Sequence, residues 1–332
     1  MTIASGEILW YKSVNISDLS TNGGGLSSNQ IISGVRNNVF PDVSQAERTA
    51  GSTKYRKVFI KIANASNLAA LNPNVMVENL TLGYDSITIF PAGQGDQQSV
   101  ITGSERQYGC GQLNADVAAA ATTLYVMTEA AALNYFQNGD TIRISDKANI
   151  SAAPGNEEYL VISGVPTYSG NIATITLAAG TANAYAAAAT RVASVYQPST
   201  IQASTTSPAV SSTSGTFDNG TYPIVPTNIG AIYDTLVVTF TSASAFGVTS
   251  STLGALSTGT TATDYAPTNA AFSTPYFTLN HLAWGGTWAS GDMLTFTVTP
   301  AALPLWYKRV VPAGASSVSS DTTTIAVDIE SA

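Results

Sequence analysis

Cysteine and histidine are nearly missing from this chain, and each gap closes off a chemistry. Cys110 is the only cysteine among 332 residues, so no disulfide can form within the chain and an all-cysteine metal site is excluded. His281, in LNHLAWGGTW, is the only histidine. A Ser-His-Asp triad would have to use it as the base, yet no serine sits in a G-x-S-x-G elbow and the strand-helix alternation that holds one is missing. One His and one Cys far apart in sequence are also poor material for zinc.

Charge is scarce too. Only 10% of residues are charged, well under half of the usual ~25%. Disorder does not follow, because 44% hydrophobic content with 15 Tyr and 10 Phe supplies a core, and a chain this long buries about three quarters of its unfolded surface without staples. A net charge of -8 and a pI near 4.5 argue against nucleic acid or an anionic membrane as partner. No run approaches the ~18 apolar residues of a spanning helix. The opening MTIASGEILWYKSVN lacks the basic stretch and apolar run of a signal peptide, so none is expected.

What is present is period-two alternation. In MLTFTVTP, Leu294, Phe296 and Val298 fall on one face and Thr295, Thr297 and Thr299 on the other, as a half-buried strand requires. TLVVTFTS repeats the pattern with Leu236, Val238 and Phe240, and KVFIKIAN sets Val58, Ile60 and Ile62 against Lys57, Phe59 and Lys61. Separated by Gly, Asn, Pro and Ser turn clusters, these segments predict an all-β fold: a β-sandwich with an inserted or appended small β-barrel or roll module and an extended N-terminal arm.

Residues 112–197 read as the small module, 51–111 and 198–332 as the sandwich it interrupts, and 1–50 as the arm, with TNGGGLSS (21–28) as a flexible hinge. The one predicted helix lies in TEAAALNYFQNGD (128–140), with Thr128 as N-cap and Gly139 closing it. The Ser/Thr/Pro-rich 197–220 reads as a linker or extended arm.

The chemistry-bearing residues do not form a motif. Asp85, Asp96, Glu105, Asp234 and Asp292 are acidic, but nothing ranks a pair for glycoside cleavage. Asp146, Glu157 and Glu158 are the nearest thing to a calcium cluster, without the spacing of an EF-hand. Tyr276, Phe277, Trp284 and Trp288 suit a sandwich core or an interface anchor. The reading is therefore non-enzymatic, with no catalytic residues, cofactor or metal.

The distribution of cations carries more information. Seven of the 13 Lys and Arg lie between Lys12 and Lys61, and none lies between Val192 and Tyr307. NNVFPDVSQAERTAGSTKYRKVF (37–59) gathers Arg48, Lys54, Arg56 and Lys57 beside Asp42 and Glu47. Arg pairs bidentately with carboxylates, and on an acidic protein this balanced segment reads as a docking surface. Trp10, Phe40 and Tyr55 are its expected anchors, Arg48 and Arg56 its pairing charges, and Lys57 lies on the outer face of its strand.

Three stretches carry a resemblance: STNGGGLSSNQIISGVRNNVFPDVSQAERTAGSTKYRKVFIKIAN, NGDTIRIS with GNEEYLVISGV, and YFTLNHLAWGGTWASGDMLTFTVTPAALPLWYKRVVPAGA. Together they resemble an uncharacterised family of structural proteins of tailed bacteriophages and Mu-like prophages. The resemblance implies a virion protein, assembled in the host cytoplasm and released by lysis, whose partners are copies of itself and other virion proteins. A tail-associated subunit is the leading expectation; a capsid decoration protein and a host-receptor or carbohydrate-binding tail-tip module are the alternatives.

Overall fold

The structure, a computed structural model, describes residues 2–81, 83–129 and 135–331. It is all-β, and its one α-helix among those residues is α1 (Gln45–Ala50). The main sheet contains β1 (Ile8–Asn15), β2 (Gly23–Ile31), β3 (Ser52–Ile62) and β5 (Ser86–Pro91), while β4 (Ala70–Val77) lies outside it. Its order is β2, β1, β3, a returning strand Ala302–Val311, then β5. All pairs are antiparallel, and the returning strand matches β3 from Ala302 opposite Lys61 to Val311 opposite Ser52.

The alternation in β3 has a different consequence from the one expected. Val58 and Ile60 do face a core, completed by Leu305, Tyr307, Val75, Met76 and Val77, and Ile62 packs with Ala70, Ile201 and Ala301. The opposite face is covered as well, with Phe59 packed against Tyr11, Leu26 and Phe272. Because β3 sits mid-sheet with both faces covered, Arg56 to Ile62 are all buried, and Lys57 lies inside rather than on an outer face.

The arm expected over 1–50 is largely part of this sheet. Tyr11 and Leu26 bury against Phe59, and that contact holds β1 and β2 as intrachain strands. Besides the residues before β1 and the β1–β2 turn (16–22), residues 32–51 leave the sheet, as a loop ending in α1. The glycines expected to hinge it open β2 instead. Gly23, at φ +105°, lies so close to Trp306 that a β-carbon there would come within 2.7 Å of the indole, a position for which glycine alone suffices.

The module is a rolled sheet of β6 (Cys110–Leu113), β7 (Thr123–Met127), β8 (Thr141–Ser145), β9 (Glu157–Val161), β10 (Thr167–Ser169), β11 (Ile172–Thr176) and β12 (Arg191–Ser194). Its order is β10, β11, β7, β6, β12, β8, β9, with Leu124, Val126, Ile142, Ile144, Ile175 and Val192 in its core. It curls until Ile162 bridges Leu177 without closing as a barrel. Of the helix predicted over 128–140, residues 130–134 lie outside the described residues; 135–139 beyond them are not helical, and Phe136 is buried in the module core.

Residues 201–300 build a further sheet and core of their own, where continuation of the main sandwich was expected. Strands Asp234–Phe240, Ala245–Ser250 and Met293–Thr299 alternate buried and half-buried positions as their sequences dictate. Phe277 and Trp288 plug this core, with the Trp288 ring stacked on Phe240 at 4.3 Å. The Ser/Thr-rich stretch is not a free linker, since Ser204–Thr205 and Ala209–Ser211 both pair with Met293–Thr299. The chain then re-enters the main sheet through the returning strand.

Candidate assembly surface

The cations of 37–59 turn inward. Lys54 pairs with Asp18 at 3.0 Å and Glu47 at 2.9 Å, and Arg56 pairs with Asp18 at 2.7 Å. The Arg56 and Arg309 guanidiniums lie over the Phe40 ring, 5.6 and 4.9 Å from its centroid, a geometry in which the ring quadrupole attracts the cation. Arg309 also donates to the Pro41 carbonyl at 2.7 Å, and Arg48 to that of Val43 at 2.9 Å.

Local sequence explains how Glu47 reaches this cluster. Ser44 caps α1 by accepting from the Glu47 N–H, and Glu47 accepts from the Ser44 N–H at 2.8 Å, a capping box. Burial opposes the charge on Glu47, but the Ser44 N–H and the Lys54 ammonium outweigh it and hold the carboxyl down at about 2. The loop and the β1–β2 turn are thereby pinned to the sheet.

Two lysines are braces of another kind. Lys57, 2% exposed, donates to the carbonyls of Gly24, Gln94 and Asp96 at 2.8, 3.1 and 3.0 Å. Lys61 donates to the Ile229 carbonyl and so ties the main sheet to the 201–300 body. Burial pushes both amines down to about 8.

Of the six expected contacts, Phe40, Arg48 and Arg56 belong to the pinned loop and its cluster. Trp10 packs half-buried on the main core and Tyr55 stands edge-on to Phe90 at 6.2 Å; Lys57 is inaccessible. The pinned segments expose other apolar side chains, as do positions elsewhere such as Val165 and Leu282: Val14 at the end of β1, Ile16 and Leu19 in the turn, Ile32 and Val35 on the loop. Loop positions carry no periodicity, so sequence reading passed over them.

The acidic residues serve mostly as turn locks. Asp96 accepts from the Gly93 N–H, Glu105 from those of Thr102 and Gly103, and Asp292 from Ser212 and the Ala289 N–H. Asp234 accepts from the Ser250 and Ser251 hydroxyls. Asp146 holds the Asn156 N–H, Glu157 meets Arg143 and Lys147, and Glu158 accepts from Asn183 and Tyr185. No group of three or more metal-ligating side chains converges among the described residues. The His281 Nδ1 bonds Asp264 at 2.7 Å on the surface, with no hydroxyl bonded to the ring among the described residues.

Asp85 is the exception. A β-carbon on Gly83 would lie 2.4 Å from an Asp321 oxygen and 3.4 Å from an Asp85 oxygen, so the two carboxylates converge there. Burial first, and then the Asp321 charge, push Asp85 up to about 6. Behind it burial lifts Glu129 to about 7, although Thr81 and Tyr135 bond its oxygens.

One polar cleft, of about 540 Å³, opens between the module and the last strand, lined by Lys147, Asn156, Glu157, Glu158, Tyr159 and Asp328 among others. No helix among the described residues is long and apolar enough to cross a membrane. Compared with known proteins, the chain matches no family model, no curated protein and no solved structure.

Proposed function

We propose that this chain is a structural subunit of a tailed-phage particle, associated with the tail, which binds copies of itself and other particle proteins and catalyses no reaction. In this reading it is made in the host cytoplasm, built into the virion and released by lysis, with no role for nucleic acid, membrane or cofactor. One observation carries the reading. Lys54 and Arg56 brace the chain internally, while the segments they pin present Val14, Ile16, Leu19, Ile32 and Val35 to water. Apolar side chains held on a rigid surface suit a protein interface.

Sedimentation velocity over a concentration series tests it with the wild type and an Ile16→Asp/Leu19→Asp variant. The wild type is expected to associate, and the variant to associate about tenfold more weakly or worse. A wild type that stays monomeric throughout would defeat the proposal.

The polar cleft favours a second reading, a saccharide-binding module at a tail tip. The Tyr159 ring beside Asn156 and Asp328 provides a face and polar groups of the kind a sugar uses. Binding on a bacterial glycan array that disappears in Tyr159→Ala would support it; an array without signal would remove it.

A further inference from the structure

The last strand, Ile325–Ser331, is attached to the rest of the fold in an unusual way. It pairs with β4 alone, from Ile325 opposite Val77 to Ser331 opposite Ala70, in a sheet of just those two strands. Its register breaks between Asp328 and Glu330. It fills a groove along β4, where Ile325, Ala326 and Val327 join the main core that holds Val75, Met76 and Val77.

The connector to this strand is long and mostly exposed. Residues 312–324, PAGASSVSSDTTT, are mostly exposed and span roughly 45 Å when extended. Among the described residues the connector's bonds to the body include Asp321 to the Gly83 N–H at 3.0 Å, Thr323 to the Asn79 carbonyl at 2.7 Å, Thr324 to Asn79 at 3.2 Å, the Gly314 N–H to the Arg48 carbonyl at 2.7 Å and the Thr324 carbonyl to the Glu78 N–H at 2.7 Å. The first of these sets Asp321 against Asp85, which the charge of Arg309 on the returning strand partly offsets.

We infer that copies of this chain join by exchanging the last strand, Ile325–Ser331 of one copy leaving its own β4 to pair with β4 of the next. The groove makes the same contacts with either strand, so exchange costs no pairing, and the connector has the reach. Reciprocal exchange closes a dimer, whereas exchange passed head to tail builds rings or filaments. A strand paired on one side only, in a two-stranded sheet, is the kind of element that swaps. This inference rests on the assembly reading and adds to the surface around Val14, Ile16 and Leu19 a second contact, the exchanged strand.

Single-cysteine chains test it, made in a Cys110→Ser background. Val75→Cys and Val327→Cys lie opposite each other across the pair. The two variants are purified separately, mixed, concentrated until light scattering reports assembly, oxidised, and run on a non-reducing gel with peptide mapping. Exchange predicts a disulfide joining position 75 of one chain to position 327 of the other. Assemblies in which both thiols stay free overturn exchange and leave assembly standing. Absence of assembly removes both. A chain carrying both cysteines must close its own disulfide when dilute, which confirms native packing; if it does not fold, Met76→Cys with Ala326→Cys reads the same contact.

Discussion

The Lys61 ammonium lies 3.5 Å from the centroid of the Phe272 ring, and among the described residues no carboxylate pairs with it. A charge in the middle strand of the main sheet is thus held by an aromatic face and one carbonyl, that of Ile229. The contact joins the sheet to the 201–300 body. Phe272→Ala is expected to cost about 3 kcal/mol in urea unfolding, because it removes both packing and the cation's partner. Lys61→Met, which removes the desolvated charge and keeps the volume, is expected to be neutral or mildly stabilising.

Alkaline pH should stabilise the fold over a defined window. Lys57 and Lys61 release their protons near 8 in the folded chain and at their ordinary 10.5 when unfolded. Between those values the unfolded chain binds more protons, so stability rises with pH. Below 8 the penalty is constant. The urea midpoint is expected to climb from pH 8 to pH 9.5, and the climb should shrink in a Lys57→Met/Lys61→Met chain. An identical climb in that chain would assign it to other groups.

The Asp85–Asp321 contact works in the opposite direction. With Asp85 raised from 3.8 to about 6 and Glu129 from 4.5 to about 7, the folded chain holds protons that the unfolded chain has lost. Stability therefore falls as pH rises from about 4 to 7. Asp321→Asn removes the neighbouring charge and is expected to raise Tm at pH 7.5 more than at pH 5. Calorimetry at the two values checks the difference.

Glu47 joins the cap of α1 to Lys54, and its loss should loosen one segment rather than the whole chain. Glu47→Gln is expected to cost about 1 to 2 kcal/mol and to open residues 32–51 to limited proteolysis before any other site. Its contribution should persist in mild acid, since its carboxyl titrates at about 2 in place of 4.5.

Much of this architecture is legible in the residues. Leu236, Val238 and Phe240 alternate with Thr235, Val237 and Thr239, and the strand Asp234–Phe240 buries the first set and leaves the second half-buried. β2 is harder to read, because GGGLSSNQI has little strand propensity and becomes a strand only by pairing with β1. Lys57 and Lys61 mislead for a related reason: alternation distinguishes two faces of a strand but says nothing of a second layer arriving from residues far along the chain. Ile229 and Phe272, which cover Lys61, are such residues. The pairing of Arg56 with Asp18 likewise depends on a turn folding back, and no local pattern announces it.

Electron microscopy of the purified wild-type chain over a concentration series tests the central claim most directly. Self-association through the surface around Val14, Ile16 and Leu19 predicts rings, filaments or other regular oligomers that grow in number with concentration. A monodisperse monomer at every concentration would contradict it.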